Sequence, residues 1–123
     1  MKLERIETSR HQIPLPQPIE AASAGVMRAF DLVAVRLTDE DGATGCGYTV
    51  MHAGQGGAVA HLLETNFAPL ALAEDPRRIE WIWTKLWQAH HYLGRGGPVS
   101  FALAALDTAL WDLRGRQIGR AHV

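Results

Sequence analysis

The spacing of apolar residues along this chain changes once, from a period of two in its first part to a period of about 3.6 beyond it. Asp31 to Thr38 shows the first period most clearly: Val33, Val35 and Leu37 fall on one face of a segment rich in β-branched residues. Lys2 to Gln12 alternates more weakly and is read as a strand chiefly because of the prolines and the clearer strand that come after it. Ile13-Pro14-Leu15-Pro16-Gln17-Pro18 breaks regular structure three times, since proline has no N–H for a ladder or a helix. That predicts a loop from Pro14 to Ala29, and loops of such length inside a compact domain are usually functional or mobile. Asp39-Glu40-Asp41-Gly42 supplies turn chemistry, Ala43 to Tyr48 returns as a short third strand, and a glycine-containing loop, Thr49 to Gly57, closes an antiparallel meander.

The helical period begins at Val59. Val59, Leu62, Leu63, Asn66, Phe67 and Leu70 cluster on one side of a projection that leaves Ala60 and His61 outside, and Pro69 ends or restarts the helix. Asp75-Pro76 pairs an N-cap residue with proline at the first helical position, which predicts a helix from Pro76 to Leu93. Its apolar face holds Ile79, Ile82, Trp83, Leu86 and Leu93. Trp81 lies opposite, beside Arg77, Lys85 and Gln88, and either meets something beyond the helix's main partner or covers neighbouring side chains. After Gly94-Arg95-Gly96-Gly97-Pro98 the last helix runs from Val99 to about Gln117. One stripe on it is Val99, Ala102, Leu103, Leu106, Leu110 and Leu113; a second is Phe101, Ala104, Ala105 and Trp111, so the helix needs cover on two sides, the second from the sheet or a missing partner. The fold class is α+β: a three-stranded antiparallel meander followed by a helical bundle.

Bulk properties narrow the function. A chain of 123 residues, 47% apolar and 20% charged, is one ordinary globular domain, and its net charge of −1 leaves no basic stripe for a nucleic acid. The longest apolar window, around Phe101 to Trp111, is interrupted by Asp107 and falls short of the ~20 residues that span a bilayer. Met1-Lys2-Leu3-Glu4-Arg5 lacks a signal peptide's design, so no membrane partner and a cytoplasmic location are expected. The single cysteine, Cys46, agrees with a reducing compartment.

Chemistry is sparse in the pattern. The six histidines show neither H-E-x-x-H nor a Cys/His ligand spacing, so no metal ligand is assigned in this chain. His90 falls on an apolar helical face and is read as a satisfied interior histidine; His61 is read as solvated. Gly45-Cys46-Gly47 and Gly54-Gln55-Gly56-Gly57 match no phosphate-binding pattern, and the second reads as a flexible loop leading into a helix. Asp107 and Asp112, five residues apart, point about 140° from each other on a helix and share no reacting group; Asp112 is expected to pair with Arg116. Cys46, with no activating base in view, reads as a small interior residue. No catalytic residue is assigned.

The run Ala105-Leu106-Asp107-Thr108-Ala109-Leu110-Trp111-Asp112-Leu113-Arg114-Gly115 resembles the A-x-D-x-A-L-W-D-x-x-G signature helix of the mandelate racemase and muconate-lactonizing branch of the enolase superfamily. The resemblance extends to Pro14-Leu15-x-x-Pro18, to Gly45-x-Gly47-Tyr48-Thr49 and to Glu74-Asp75-Pro76, in the family's order. It implies an amino-terminal capping domain over residues 1–117, with 118–123 starting the connection to a (β/α)8 barrel. A barrel of that kind takes roughly 250 residues and is absent from this chain. In such enzymes two cap loops close over the barrel mouth and help choose the substrate, while barrel residues bind Mg2+ and a lysine or histidine removes the proton α to a carboxylate.

Carried over by position, the first loop corresponds to about 18–30 and the second to about 48–55, which implies substrate contacts from Met27, Arg28, Tyr48 and His52. Gly47-Tyr48-Thr49 followed by Ala53-Gly54-Gln55-Gly56 is most similar to talarate/galactarate-type acid-sugar dehydratases, although Val50-Met51-His52 lacks the lysine some of them place there. The resemblance implies the specificity cap of a Mg2+-dependent sugar-acid dehydratase, inactive by itself, with a small carboxylate and the barrel as partners and a homo-oligomeric parent. A racemase, epimerase or cycloisomerase of the same family is the nearest alternative, kept open by Met27 and Met51 as lining of a more apolar pocket. A non-catalytic truncated or interaction module is the alternative from another class.

Overall fold

The structure, a computed structural model, describes residues 2–21 and 25–119. Three strands, β1 (Leu3–Ala21), β2 (Gly25–Asp39) and β3 (Thr44–His52), form an antiparallel sheet in the order β1-β2-β3. Val33 lies opposite Arg10 and Thr49, Val35 opposite Thr8 and Gly47, and Leu37 opposite Ile6 and Gly45. Side chains alternate across a strand, so these rows make one face, and there Val33, Val35, Leu37, Thr49 and Met51 are buried. The intervening residues Cys46, Tyr48 and Val50 are exposed on the other face. The β2–β3 turn is held by Asp39, whose Oδ1 accepts the N–H groups of Asp41 and Ala43, both at 2.9 Å, while Gly42 takes φ 87°.

The loop expected from Pro14 to Ala29 is corrected: apart from 22–24, which lie outside the described residues, it is strand. Pro14 pairs with Ala29, the register slips, and Ile19 pairs with Met27, Glu20 with Val26 and Ala21 with Gly25. The slip absorbs Pro16 and Pro18. Strand β1 has a single neighbour, so an outward-facing position loses nothing when its N–H is missing, which is how proline is tolerated on an edge strand or at a bulge. Strand β3 likewise runs on to His52 and shortens the second loop.

The expected helix from Val59 to Leu70 is three pieces: α1 (Gly56–Leu62), a π-helical turn (Leu63–Phe67) and α2 (Ala68–Ala71). Pro69, in the first turn of α2, restarts the helix, since without an N–H it cannot close an i−4 bond onto Thr65. Helix α3 spans Ile79–Ala89 rather than Pro76 to Leu93. Asp75 caps a turn instead, its Oδ1 accepting the Arg77 N–H at 2.9 Å while its carbonyl accepts from Arg78. At the other end His90 leaves helical geometry and a short 3-10 turn (His91–Leu93) carries Leu93 out to 62% exposure, off the expected apolar face. Trp83, 38% exposed, stacks on Trp87 at 5.1 Å, and the Arg78 guanidinium lies 5.2 Å over Trp81.

Helix α4 (Pro98–Ile118) is the spine of the core. Its first predicted stripe, Val99, Ala102, Leu103, Leu106, Leu110 and Leu113, is buried throughout, each large side chain contributing about 1.5–3 kcal/mol. Ala105 and Ala109 are buried against β3, where the glycines let the helix come close: a Cβ on Gly45 would lie 2.5 Å from the Ala109 carbonyl oxygen, and one on Gly47 would collide with that of Ala105. Phe101, Ala104 and Trp111 of the second stripe remain exposed. The connection expected over 118–123 lies, from residue 120 on, outside the described residues.

Candidate functional site

The end of β3 is a built corner rather than a flexible loop. The Gln55 N–H donates to the His52 carbonyl at 3.1 Å across a tight turn whose third residue, Gly54, has φ 87°, a value L side chains rarely adopt. Asp31, on β2 opposite Met51 and only 4% exposed, reaches across: its Oδ2 accepts the N–H of Gly54 at 3.0 Å and that of Gly56 at 2.8 Å. A Cβ on Gly56 would sit 2.9 Å from that same oxygen, and one on Gly57 would lie 2.7 Å from Nη1 of Arg10. Neither Asp31 nor Arg10 stands out in the sequence. Asp31 reads as the polar start of a strand, and its meaning depends on amides 23 and 25 residues further on.

Three of the four predicted site residues share the open face of the sheet. His52, half-buried, pairs with Phe30, and Arg28, exposed, lies two residues further along β2 on the same side. Tyr48, 63% exposed, pairs with Ala34 and projects from that face too, but about 13 Å along the strand from His52 at ~3.3 Å per residue. Met27 pairs with Ile19 and belongs to the opposite face, where it is half-buried. Arg28 and His52 thus make one grouping at the corner, while Tyr48 and Met27 stand apart from it. Beside the corner, on the helical side, Met51, Gln55, Val59, Pro98 and Phe101 line an open, largely apolar groove of about 380 Å3.

Other ionisable groups have structural roles. His90 is buried, its Nδ1 2.7 Å from the Leu86 carbonyl oxygen and its ring 4.4 Å from that of Phe67; His61 is exposed. Cys46 is exposed rather than interior, a correction that follows from register: its glycine neighbours occupy the packed face and leave it on the open one. Asp112 pairs with Arg116 at 3.2 Å as expected. Asp107 sits half-buried among Ile82, Trp83, Leu86, Leu103 and Leu110, and that apolar burial pushes its carboxyl above the usual range. Among the described residues no group of three or more His, Cys, Asp or Glu side chains is placed to hold a metal ion.

Residues 5–121 match the family model of the mandelate racemase / muconate lactonizing enzyme, N-terminal domain. The chain is 42% identical over 113 residues to a 3,6-anhydro-alpha-L-galactonate cycloisomerase of Streptomyces coelicolor, covering 92% of this chain and 31% of that one. It is 41% identical over 90 residues to a D-galactonate dehydratase family member of Pseudarthrobacter chlorophenolicus, covering 72% of this chain and 21% of the relative. Among solved structures, L-talarate/galactarate dehydratase from Salmonella typhimurium, liganded with Mg and L-lyxarohydroxamate, superposes with a TM-score of 0.87 at 25% identity, over 96% of this chain and 31% of the other. The chain therefore spans about a third or less of the length of these relatives. The sheet, the helices packed on it and the family match agree, and the chain belongs to the mandelate racemase / muconate lactonizing enzyme family of the enolase superfamily, as its N-terminal domain.

Proposed function

We propose that this domain is the substrate-selecting cap of a Mg2+-dependent enzyme acting on a sugar-derived carboxylate, with residues 1–117 as the cap and 118–123 leading into a catalytic barrel. The observation that carries the reading is the company the chain keeps: relatives at 33–42% identity named for galactonate, mannonate, arabinonate and anhydrogalactonate chemistry. The reaction begins with removal of the proton α to the carboxylate. The electrons of that C–H bond form the Cα–Cβ double bond as the β C–O bond breaks.

Where the β-oxygen is a hydroxyl it leaves as water, giving a dehydratase. Where it is the ring ether of a 3,6-anhydro acid, the same bond cleavage opens the ring and the oxygen stays as a hydroxyl, giving an isomerase. The cycloisomerase relative, aligned over 92% of this chain against 72% for the dehydratase, favours that second reading of the same site.

The cap's share of the work is recognition. Arg28 and His52, which share the corner, offer a cation to a distal carboxylate and a hydrogen bond to a sugar oxygen, while the Tyr48 hydroxyl and Met27, which stand apart from that grouping, are further contacts proposed from the loop correspondence alone. The donors described here do not fit a Mg2+ site, so the ion is assigned to the barrel and no step is drawn through this domain. Screening the full-length enzyme against aldonates, aldarates and 3,6-anhydro aldonates tests the proposal. Turnover confined to amino-acid or aromatic carboxylates would rule it out, and turnover by the 123-residue chain alone would overturn the division of labour.

A further inference from the structure

We propose that Asp31 is the positioning residue of the specificity corner: its buried carboxylate holds the His52–Gly56 turn ready-made, so that this part of the cap presents a fixed surface to substrate. The inference rests on the reading of that turn as substrate-facing. Both N–H bonds converge on one oxygen, Oδ2, at 3.0 and 2.8 Å, and join the turn to the first residue of α1. The donors come from either side of Gln55, whose own N–H closes the turn onto His52. One acceptor therefore fixes the exit of β3, the turn and the entry of the helix together.

The absence of side chains at Gly54 and Gly56 belongs to the same device. Gly54 permits the positive φ that aims its N–H inward, and a Cβ on Gly56 would strike Asp31 itself. Asp31 also sits next to Phe30, the cross-strand partner of His52, so the β2 backbone that carries the anchor also sets the register of the residue being positioned. Asp31 touches no substrate in this arrangement. Its effect on recognition passes through the position of His52.

The test uses the full-length enzyme with Asp31→Ala and Asp31→Asn, read by hydrogen exchange of the peptide spanning residues 51–57 and by steady-state kinetics on the best sugar acid. Losing a charge-assisted acceptor should speed exchange of the Gly54 and Gly56 amides about tenfold in Asp31→Ala. KM should rise by about the same factor while kcat changes by less than about threefold. Asp31→Asn keeps an oxygen where Oδ2 stands and should restore most of both, and it becomes the test variant if the alanine enzyme does not fold. Unchanged exchange would overturn the anchoring. Faster exchange with KM unmoved would overturn the link from anchor to recognition. A wild-type enzyme that turns over no sugar acid would defeat the reading of the site, and the exchange experiment would still decide the anchor.

Discussion

Asp112 on α4 accepts the backbone N–H of Cys46 on β3 at 2.8 Å, joining residues 66 positions apart. The same Oδ2 takes the Arg116 Nε–H at 3.2 Å, so one carboxylate oxygen ties the helix to itself and to the edge of the sheet. The cation alone is worth little at this exposure. The strand N–H contributes more, because a hydrogen bond from the backbone to a carboxylate is worth about 0.5–1.5 kcal/mol even where water can replace the acceptor. Asp112→Ala should lower stability by about that amount in urea unfolding, and by more than Arg116→Ala, which should change it by less than about 0.5 kcal/mol. Equal losses from the two variants would show that the contact with Cys46 contributes nothing.

The packing of α4 on β3 gives a sharper test. A methyl group on Gly45 meets the Ala109 carbonyl oxygen at 2.5 Å and Leu113 Cβ at 2.6 Å, and one on Gly47 meets the Ala109 backbone nitrogen at 2.5 Å. Backbone cannot swing aside as the end of a side chain can. Gly47→Ala should therefore cost at least the ~1–3 kcal/mol typical of overpacking, against a near-neutral result for an alanine at Gly96, where the same methyl group meets open space. A Gly47→Ala protein melting with the wild type would mean that the helix and sheet do not approach this closely.

How much of the fold is legible in the sequence depends on how far apart the interacting residues lie. The alternation of Val33, Val35 and Leu37 identifies the central strand and its buried face, and the stripe from Val99 to Leu113 identifies the side of α4 that packs. Both signals are local. Pro14, Pro16 and Pro18 mislead because proline excludes itself from a ladder only where its N–H is needed, and whether β1 is an edge strand is a property of the sheet. Gly45 and Gly47 read as ordinary residues of a short third strand, and their packing role stays hidden because the helix that requires them arrives some sixty positions later. For the same reason the site is half visible: Arg28 and His52 can be carried over by position, whereas Asp31 becomes meaningful only when Gly54 and Gly56 fold back onto it.

Two carboxylates should give opposite pH signatures. Asp75 is held down at about 2 by the Arg77 guanidinium, which donates to it at 2.8 Å, and then by the Arg77 backbone N–H. Its folded value lies below its unfolded value near 3.8, so its stabilisation is present above that value and lost as pH falls through about 2. Asp107 is shifted the other way by burial. It favours the folded state below the unfolded carboxylate pKa, and that contribution disappears as pH rises through the raised folded value. Asp107→Asn should therefore raise the melting temperature at neutral pH and bring no gain at pH 3, whereas Asp75→Asn should lower it at neutral pH. A gain from Asp107→Asn that is the same at both pH values would show that its charge is not what costs stability.

The exposed side of α4 predicts how the isolated chain behaves. Phe101, Trp111 and Ile118 stand 40%, 53% and 51% exposed along one helix, and Ile13, Tyr48 and Val50 lie on the open face of the sheet. Apolar surface arranged contiguously favours association where scattered single residues do not. The 123-residue chain should therefore show a concentration-dependent increase in mass by light scattering. Trp111→Lys, which touches no buried position of the core, should reduce that increase while leaving the melting temperature nearly unchanged. If the association resides on the sheet instead, Val50→Lys will reduce it and Trp111→Lys will not; a chain monomeric at all concentrations would show that neither surface needs a partner.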